Sequence, residues 1–320
     1  MYDAASPCEP HAGSPSGPPF GPPSGPPFGP PLSGPPLGAR AESPAGPLPE
    51  AHRHQRARGE LRLSFKLRDG ATVLEGLRQE GCLKARFPRA ERGAWTGAVV
   101  LNTSGGVAGG DRLCTRVQAG PGTRATLAAQ AAERFYRALP GAAPAHVRTH
   151  LAVLPGAALE WLPQDSILFD RCALDRELHV DLAADAWFLG LEALVFGRAA
   201  MGEQVEAARL RDLIRVRRAG RLLLHDVVRL DGPVRALLDR RAIGAGARAA
   251  ATVVHVAPGA EARLDAVRDA LAPFEAGASA WDGVLVARVV APDGASLRAA
   301  TTAGLTAIRA GRPLPRVWTC

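Results

Sequence analysis

From Glu60 onward the chain is punctuated too often to hold long helices, and this constrains the fold more than any other feature. "LRLSFKL" alternates apolar and polar residues, which places Leu61, Leu63, Phe65 and Leu67 on one face, and Asp69-Gly70 supplies the turn that follows. "AHVRTHLAVL" alternates in the same way, and Pro155-Gly156 turns the chain into "AALEWL". "RELHVDL", "DLIRVRR", "RLLLHDVVRL", "AATVVHVA" and "GVLVARVV" also read as strands. They are separated by Ala219-Gly220, Asp231-Gly232, Pro258-Gly259 and Pro292-Asp293-Gly294, all turn chemistry. Strand and helix patterns do not alternate regularly, which argues against a doubly wound parallel sheet.

Two later stretches have helical spacing. "AEARLDAVRDALAPFEAG" sets Ala260, Leu264, Val267 and Leu271 on one face, with Gly277 as its expected C-cap. "ASLRAATTAGLTAIRAG" turns Leu297, Leu305 and Ile308 inward and is expected to stop at Gly311. The expected fold is mainly β with a minor α component: a large domain of many short strands, with two helices toward the C-terminus.

Before this texture begins, residues 13–38 repeat G-P-P with Phe, Ser or Leu at a period of four. Collagen needs glycine every third residue, so the repeat cannot form a triple helix. Proline-rich chain without apolar surface favours extended conformations. Residues 1–58 are therefore expected to be a disordered Pro/Gly-rich tail, and 59–320 a single β-rich domain. No run of ~18–20 apolar residues is present, and the N-terminus lacks a basic region followed by an apolar one. A cytoplasmic location without membrane contact is expected.

The net charge of +8 raises the question of nucleic acid, but only two of the basic residues, Lys66 and Lys84, are lysines. The arginines are spread along the chain, and aromatic residues for stacking are only 5% of it, so no nucleic-acid partner is expected. The five cysteines are scattered and never form C-x-x-C, which argues against a disulfide framework and against a structural zinc site.

The most unusual stretch is "LNTSGGVAGGDRL", residues 101–113. Gly105 and Gly110 have the spacing of a phosphate-binding loop, yet Asp111-Arg112 stands where Lys-Ser would be needed, and a carboxylate there repels phosphate. The dinucleotide-binding pattern G-x-G-x-x-G fails too. Dense glycine instead points to positive φ or to close backbone approach at Gly105, Gly106, Gly109 and Gly110, with Asp111 as a possible turn cap. No G-x-S-x-G elbow or H-E-x-x-H box occurs. His225 and Asp226 are neighbours on a strand, so their side chains point to opposite faces and cannot form a dyad. His146 and His150 share a strand face, either as surface residues or as a metal pair. No catalytic residues are assigned. The alternative is an orphan hydrolase or nucleotide-dependent enzyme using the Gly-rich loop at 104–111.

Six segments taken in order, "LNTSGGVAGGDRL", "AAQAAERFYR", "ALEWLPQDSILFD", "LEALVFGRAAMGE", "LLHDVVRLDG" and "RPLPRVW", resemble the motifs of the urease accessory protein UreD family, called UreH in some organisms. The resemblance covers Leu61 to Trp318. It implies a non-enzymatic scaffold or chaperone that binds the urease apoprotein and UreF, and reaches the GTPase UreG through UreF, in a hetero-oligomeric complex. It also implies Ni²⁺ in transit through a water-filled tunnel during metallocentre assembly, with no tightly bound cofactor. Carried onto this chain, the resemblance makes Asp111, Glu203, His225 and Asp226 candidates for nickel transit. Carboxylate and imidazole ligands that are few in number bind Ni²⁺ and release it again. Two departures stand out: the Pro/Gly-rich tail, and "GCLKARFPRA", where many members have a Pro-Leu…Arg-Pro-Phe arrangement.

Overall fold

A computed structural model describes residues 55–89, 95–198 and 201–319. The expected tail lies, for residues 1–54, outside the described residues. The first strand, β1 (Arg58–Arg68), runs into β2 (Ala71–Gly81) through the Asp69-Gly70 turn, where both residues have positive φ. Leu61, Leu63 and Phe65 are buried as their spacing requires, but Leu67 is exposed, because pairing on one side of β1 ends at Phe65 and the strand end runs past the core.

The following strands alternate between two sheets. β3 (Leu83–Arg86), β4 (Thr96–Asn102), β6 (Arg124–Ala129), β9 (Ala158–Leu162) and β12 (Trp187–Phe196) belong to one. β5 (Arg112–Ala119), β8 (Ala145–Val153), β11 (Ala173–Leu182) and β13 (Ala208–Arg218) join β1 and β2 in the other. Short β7 (Glu133–Phe135) and β10 (Ser166–Leu168) pair with each other, and β10 with β12. Each sheet is parallel through its middle: β1–β5–β8–β11–β13 in one and β4–β6–β9–β12 in the other. Parallel neighbours need a crossover, normally a helix. Here the crossover of each sheet is a strand of the other, so the chain winds as a flattened coil.

Antiparallel strands finish both sheets. β14 (Arg221–Gly232) closes the first, in the order β14-β13-β11-β8-β5-β1-β2. β15 (Ala249–Val256), β17 (Val284–Ala291) and β16 (Ala276–Trp281) extend the second beyond β12. A short helix unforeseen in the sequence, α1 (Val234–Leu238), starts after Pro233, a residue suited to a helix start. α2 (Leu264–Leu271) ends well short of Gly277, since Pro273 cannot continue a helix, and Gly277 lies within β16. α3 (Gly294–Ile308) is capped by Asp293, whose carboxylate accepts the Ser296 amide at 2.7 Å, and it gives way to positive φ at Ala310 and Gly311.

The described residues form three layers. One core, with Leu61, Phe65, Leu159, Leu174 and Phe188, lies between the sheets. A second, with Leu189, Leu191, Val267, Leu285, Leu297 and Leu305, lies between the second sheet and the helices. Along β12 Phe188, Leu194 and Phe196 enter the first core and Leu189, Leu191 and Ala193 the second, so this strand is apolar on both faces except at Glu192. The C-terminal segment is fastened to β9 by charge. Fully buried Glu160 receives Arg309 Nε at 2.8 Å, Arg309 Nη2 at 3.0 Å and the Thr126 hydroxyl at 2.6 Å, and it ion-pairs with Arg312 at 2.9 Å.

Candidate functional site

The glycine-rich segment connects β4 to β5 and carries the chain from one sheet to the other. Asn102 opens it: its Oδ1 accepts the Ser104 amide at 3.0 Å, and its Nδ2 donates to Glu133 at 3.0 Å. Gly106 has φ +141°, and a Cβ there would run into the Tyr136 ring; the Tyr136 hydroxyl in turn donates to the Gly105 carbonyl at 2.8 Å. Gly109 lies so close to Ala138 that a Cβ would sit 2.8 Å from that side chain. Asp111 is 5% exposed, and both its oxygens are committed to backbone: Oδ1 accepts the Ala57 amide at 2.9 Å and Oδ2 the Ala108 amide at 2.8 Å. The segment is a crossover turn locked by its own aspartate. β5 rather than a helix follows it, so the helix N-terminus that cradles phosphate in nucleotide-binding loops is not formed here.

The other candidates lie apart from this turn. Glu203 accepts from Arg198 Nε at 2.6 Å across the turn between β12 and β13. On β14, His225 is exposed while Asp226 turns inward, as neighbouring strand positions must. Asp226 Oδ1 accepts from Arg288 on β17 at 2.6 Å and so bridges the two sheets. His146 and His150 have separate partners: His146 lies 3.4 Å from Asp175, and His150 stacks on His179 with centroids 5.0 Å apart. Among the described residues, no three His, Cys, Asp or Glu side chains gather to hold a metal ion.

What the structure does assemble is an acidic cleft between the sheets, lined by Glu192, Asp212, Asp226 and Thr252 with apolar walls from Leu194, Ile214 and Val228. Its volume is about 20 Å³, room for a water molecule. At its inner end Arg176 donates to both Asp212 oxygens, at 2.8 and 2.7 Å, and to the Ser166 hydroxyl at 2.7 Å; it also lies 2.7 Å from Glu192. Trp161 Nε1 adds a donor to Glu192 at 3.0 Å. Burial pushes the Glu192 carboxyl above its ordinary range, against the pull of Arg176. Burial opposes the charge on Arg176 as well, but Asp212 and Glu192 together hold that guanidinium above its usual value. The carboxylates of this cleft are already engaged, Asp212 and Glu192 by Arg176 and Asp226 by Arg288, and the walls beside them are apolar.

Of the residues singled out in the sequence, only Asp226 belongs to this cleft. Glu192, Asp212 and Arg176 were missed. Their signal was present: each is a charged residue at an inward position of an apolar run, such as Leu210-x-Asp212-x-Ile214.

The family model described as "UreD urease accessory protein" matches residues 57–319. The urease accessory protein UreD of Rhizobium leguminosarum bv. trifolii (strain WSM2304) is 47% identical over 266 residues, covering 83% of this chain and 96% of the relative. That of Xanthobacter autotrophicus (strain ATCC BAA-1158 / Py2) is 46% identical, covering 82% and 90%, and that of Methylobacterium sp. (strain 4-46) is 45% identical, covering 85% and 98%. A two-sheet β protein with an acid-lined inter-sheet cleft is thus matched to accessory factors along nearly all of its described length. The chain belongs to the UreD family of urease accessory proteins.

Proposed function

We propose that this protein is a non-catalytic scaffold for urease maturation, which binds the urease apoprotein and UreF, reaches UreG through UreF, and passes Ni²⁺ as cargo toward the urease active site. Its place of action is the cytoplasm; among the described residues no helix is long and apolar enough to cross a membrane. The observation that carries the reading is the family match over residues 57–319. In the inter-sheet cleft Asp226 is held by Arg288, a largely exposed side chain that can swing away, so Asp226 is the carboxylate best placed to meet an incoming cation. Asp111 has both oxygens engaged, and Glu203 and His225 stand apart from the cleft, so they are secondary candidates for transit. The Pro/Gly-rich tail, expected over residues 1–58, is read as a spacer, but Ala57 and Arg58 belong to the fold, since Asp111 holds the Ala57 amide and β1 begins at Arg58.

Deleting the gene in its host and assaying urease in extracts tests the reading. The expected result is lost activity while urease subunits still accumulate, with partial recovery in millimolar nickel. Unchanged urease activity would remove the maturation role.

A further inference from the structure

The outer face of the first sheet carries a pattern that the linear sequence hides. Across the ladder, Arg62, Arg116, His150, His179, Arg215 and His225 stand directly beside one another on β1, β5, β8, β11, β13 and β14, and Arg78 on β2 continues the row beyond Arg62. A complete rung of the seven-stranded sheet is therefore arginine or histidine, with neighbours roughly 4.8 Å apart. At its β1 to β11 end the charge is partly met by carboxylates of the flanking rung. Glu60 pairs with Arg62 and lies 3.7 Å from Arg116, and Glu177 accepts from His179 at 2.8 Å.

At the β13–β14 end it is not met. Arg215, Arg217 and Arg229 have no hydrogen-bond or ion-pair partner among the described residues. Between them lie exposed apolar side chains, Val227 at 41% and Leu222 at 49%. Nδ1 of His179, in the same rung, is buried without a partner. α2 and α3 pack on the other sheet and α1 turns its buried Val234 and Leu238 into the core between the sheets, so among the described residues no helix covers this face.

We infer that the outer face of β13 and β14 is a docking surface for an acidic amphipathic helix of a partner protein. Its apolar residues would seat on Val227 and Leu222, and its carboxylates would meet Arg215, Arg217 and Arg229. Charge decides the occupant. A second copy would bring the same cationic face and repel. The chain's own first 54 residues carry only four carboxylates, Asp3, Glu9, Glu42 and Glu50, spread too far apart in sequence to meet three clustered arginines. Geometry favours a helix over a strand: Arg229 stands opposite Arg211, six residues or roughly 20 Å along the strands from Arg217, a span that about four helical turns cover, and a sheet face offers no backbone ladder to an added strand whereas a helix satisfies its own backbone. Sheet twist of roughly 20–25° per strand limits the contact to a few turns. Nucleic acid fits less well, since carboxylates stand on the neighbouring rungs and no Phe, Tyr or Trp ring for base stacking lies on this face among the described residues.

The surface is distinct from the cleft, so its test is independent of the nickel reading. Three labelled helical peptides of about 20 residues, identical except for Glu, Gln or Lys at the charged positions, are titrated by fluorescence anisotropy with the full-length protein. The expected result is that the Glu peptide binds at least tenfold tighter than the Gln peptide near 50 mM salt, and that the difference shrinks in high salt. The double variant R215E/R229E, which removes no hydrogen bond or ion pair among the described residues, should keep the wild-type circular dichroism and Tm, lose that preference and favour the Lys peptide. Equal binding of the Glu and Gln peptides overturns the proposal, as does a preference that survives charge reversal. Tighter binding of duplex DNA or phosphatidylserine vesicles than of the Glu peptide also overturns it, by making the face a general polyanion surface.

Discussion

Asp111 shows how one side chain can be both conspicuous and purely architectural. Its two oxygens hold the amides of Ala57 and Ala108, so a single carboxylate fixes the entry to β1 and closes the glycine turn at the same time. Removing it strands two amide donors in a site that is 5% exposed. Each unsatisfied buried group costs about 1–3 kcal/mol. D111A should therefore lose about 2–4 kcal/mol of folding stability in urea denaturation, while D111N, which keeps one good acceptor, should lose roughly half as much. A D111A protein of unchanged stability would show that water replaces the carboxylate and that its role lies elsewhere. Gly106 makes the complementary point: the Tyr136 ring occupies the space of any side chain there. The two features that made "SGGVAGGD" stand out, glycine density and a following acid, are answered by a close approach and a cap.

At the scale of elements, charge does the work that regular packing cannot. α3 and the segment after it reach β9 through Arg309 and Arg312, which converge on Glu160 at the floor of the second core. Breaking a buried pair leaves an uncompensated charge and costs about 3–5 kcal/mol, whereas replacing both partners by apolar groups is often nearly neutral. R309A should therefore destabilise by about 3 kcal/mol, at the low end because Arg312 remains, and E160L/R309L should be the more stable of the two variants. Additive losses in urea denaturation would mean that the pair does not couple. These elements were unequally legible in the sequence. β1 and β8 announce themselves because one face meets solvent and the residues alternate. β12, buried on both faces, has no period to read and was recognised only as part of a family motif. Parallel pairing was invisible: a strand's local pattern says nothing of its neighbour, and the crossovers that would reveal it are strands rather than helices. The cleft was hidden for the same reason. Glu192 and Asp212 meet only because β12 and β13 face each other across the core, while Asp226 was found through its motif. α2 was read too long because its apolar spacing was weighed above Pro273.

The molecule as a whole carries a net charge of +8, and the rung on the outer sheet concentrates part of it where histidines also stand. His150 lies between Arg116 on β5 and His179 on β11, with Arg148 and Glu177 close by. Burial first, then the neighbouring positive groups, push its imidazole down to about 4 from an ordinary 6.5. Burial also lowers His146 and His255, while it raises the carboxyls of Glu133 and Asp165. For His150 the unfolded chain takes up a proton between pH 6.5 and about 4 and the folded chain does not. Its contribution is therefore complete above pH 6.5 and is lost progressively as the pH falls toward 4. The raised carboxyls act with the opposite sign, losing stability as the pH rises from near 4, so a wild-type profile alone mixes the two. The gap for His150 corresponds to about 3 kcal/mol, and partial exposure cuts this to about 1–2 kcal/mol. Urea unfolding at pH 7.5 and at pH 5, which spans only the upper part of that range, should show H150Q losing less stability than the wild-type protein by about 1 kcal/mol. Equal losses in the two proteins would mean that the outer face tolerates the added proton, with solvent screening the arginines that surround it.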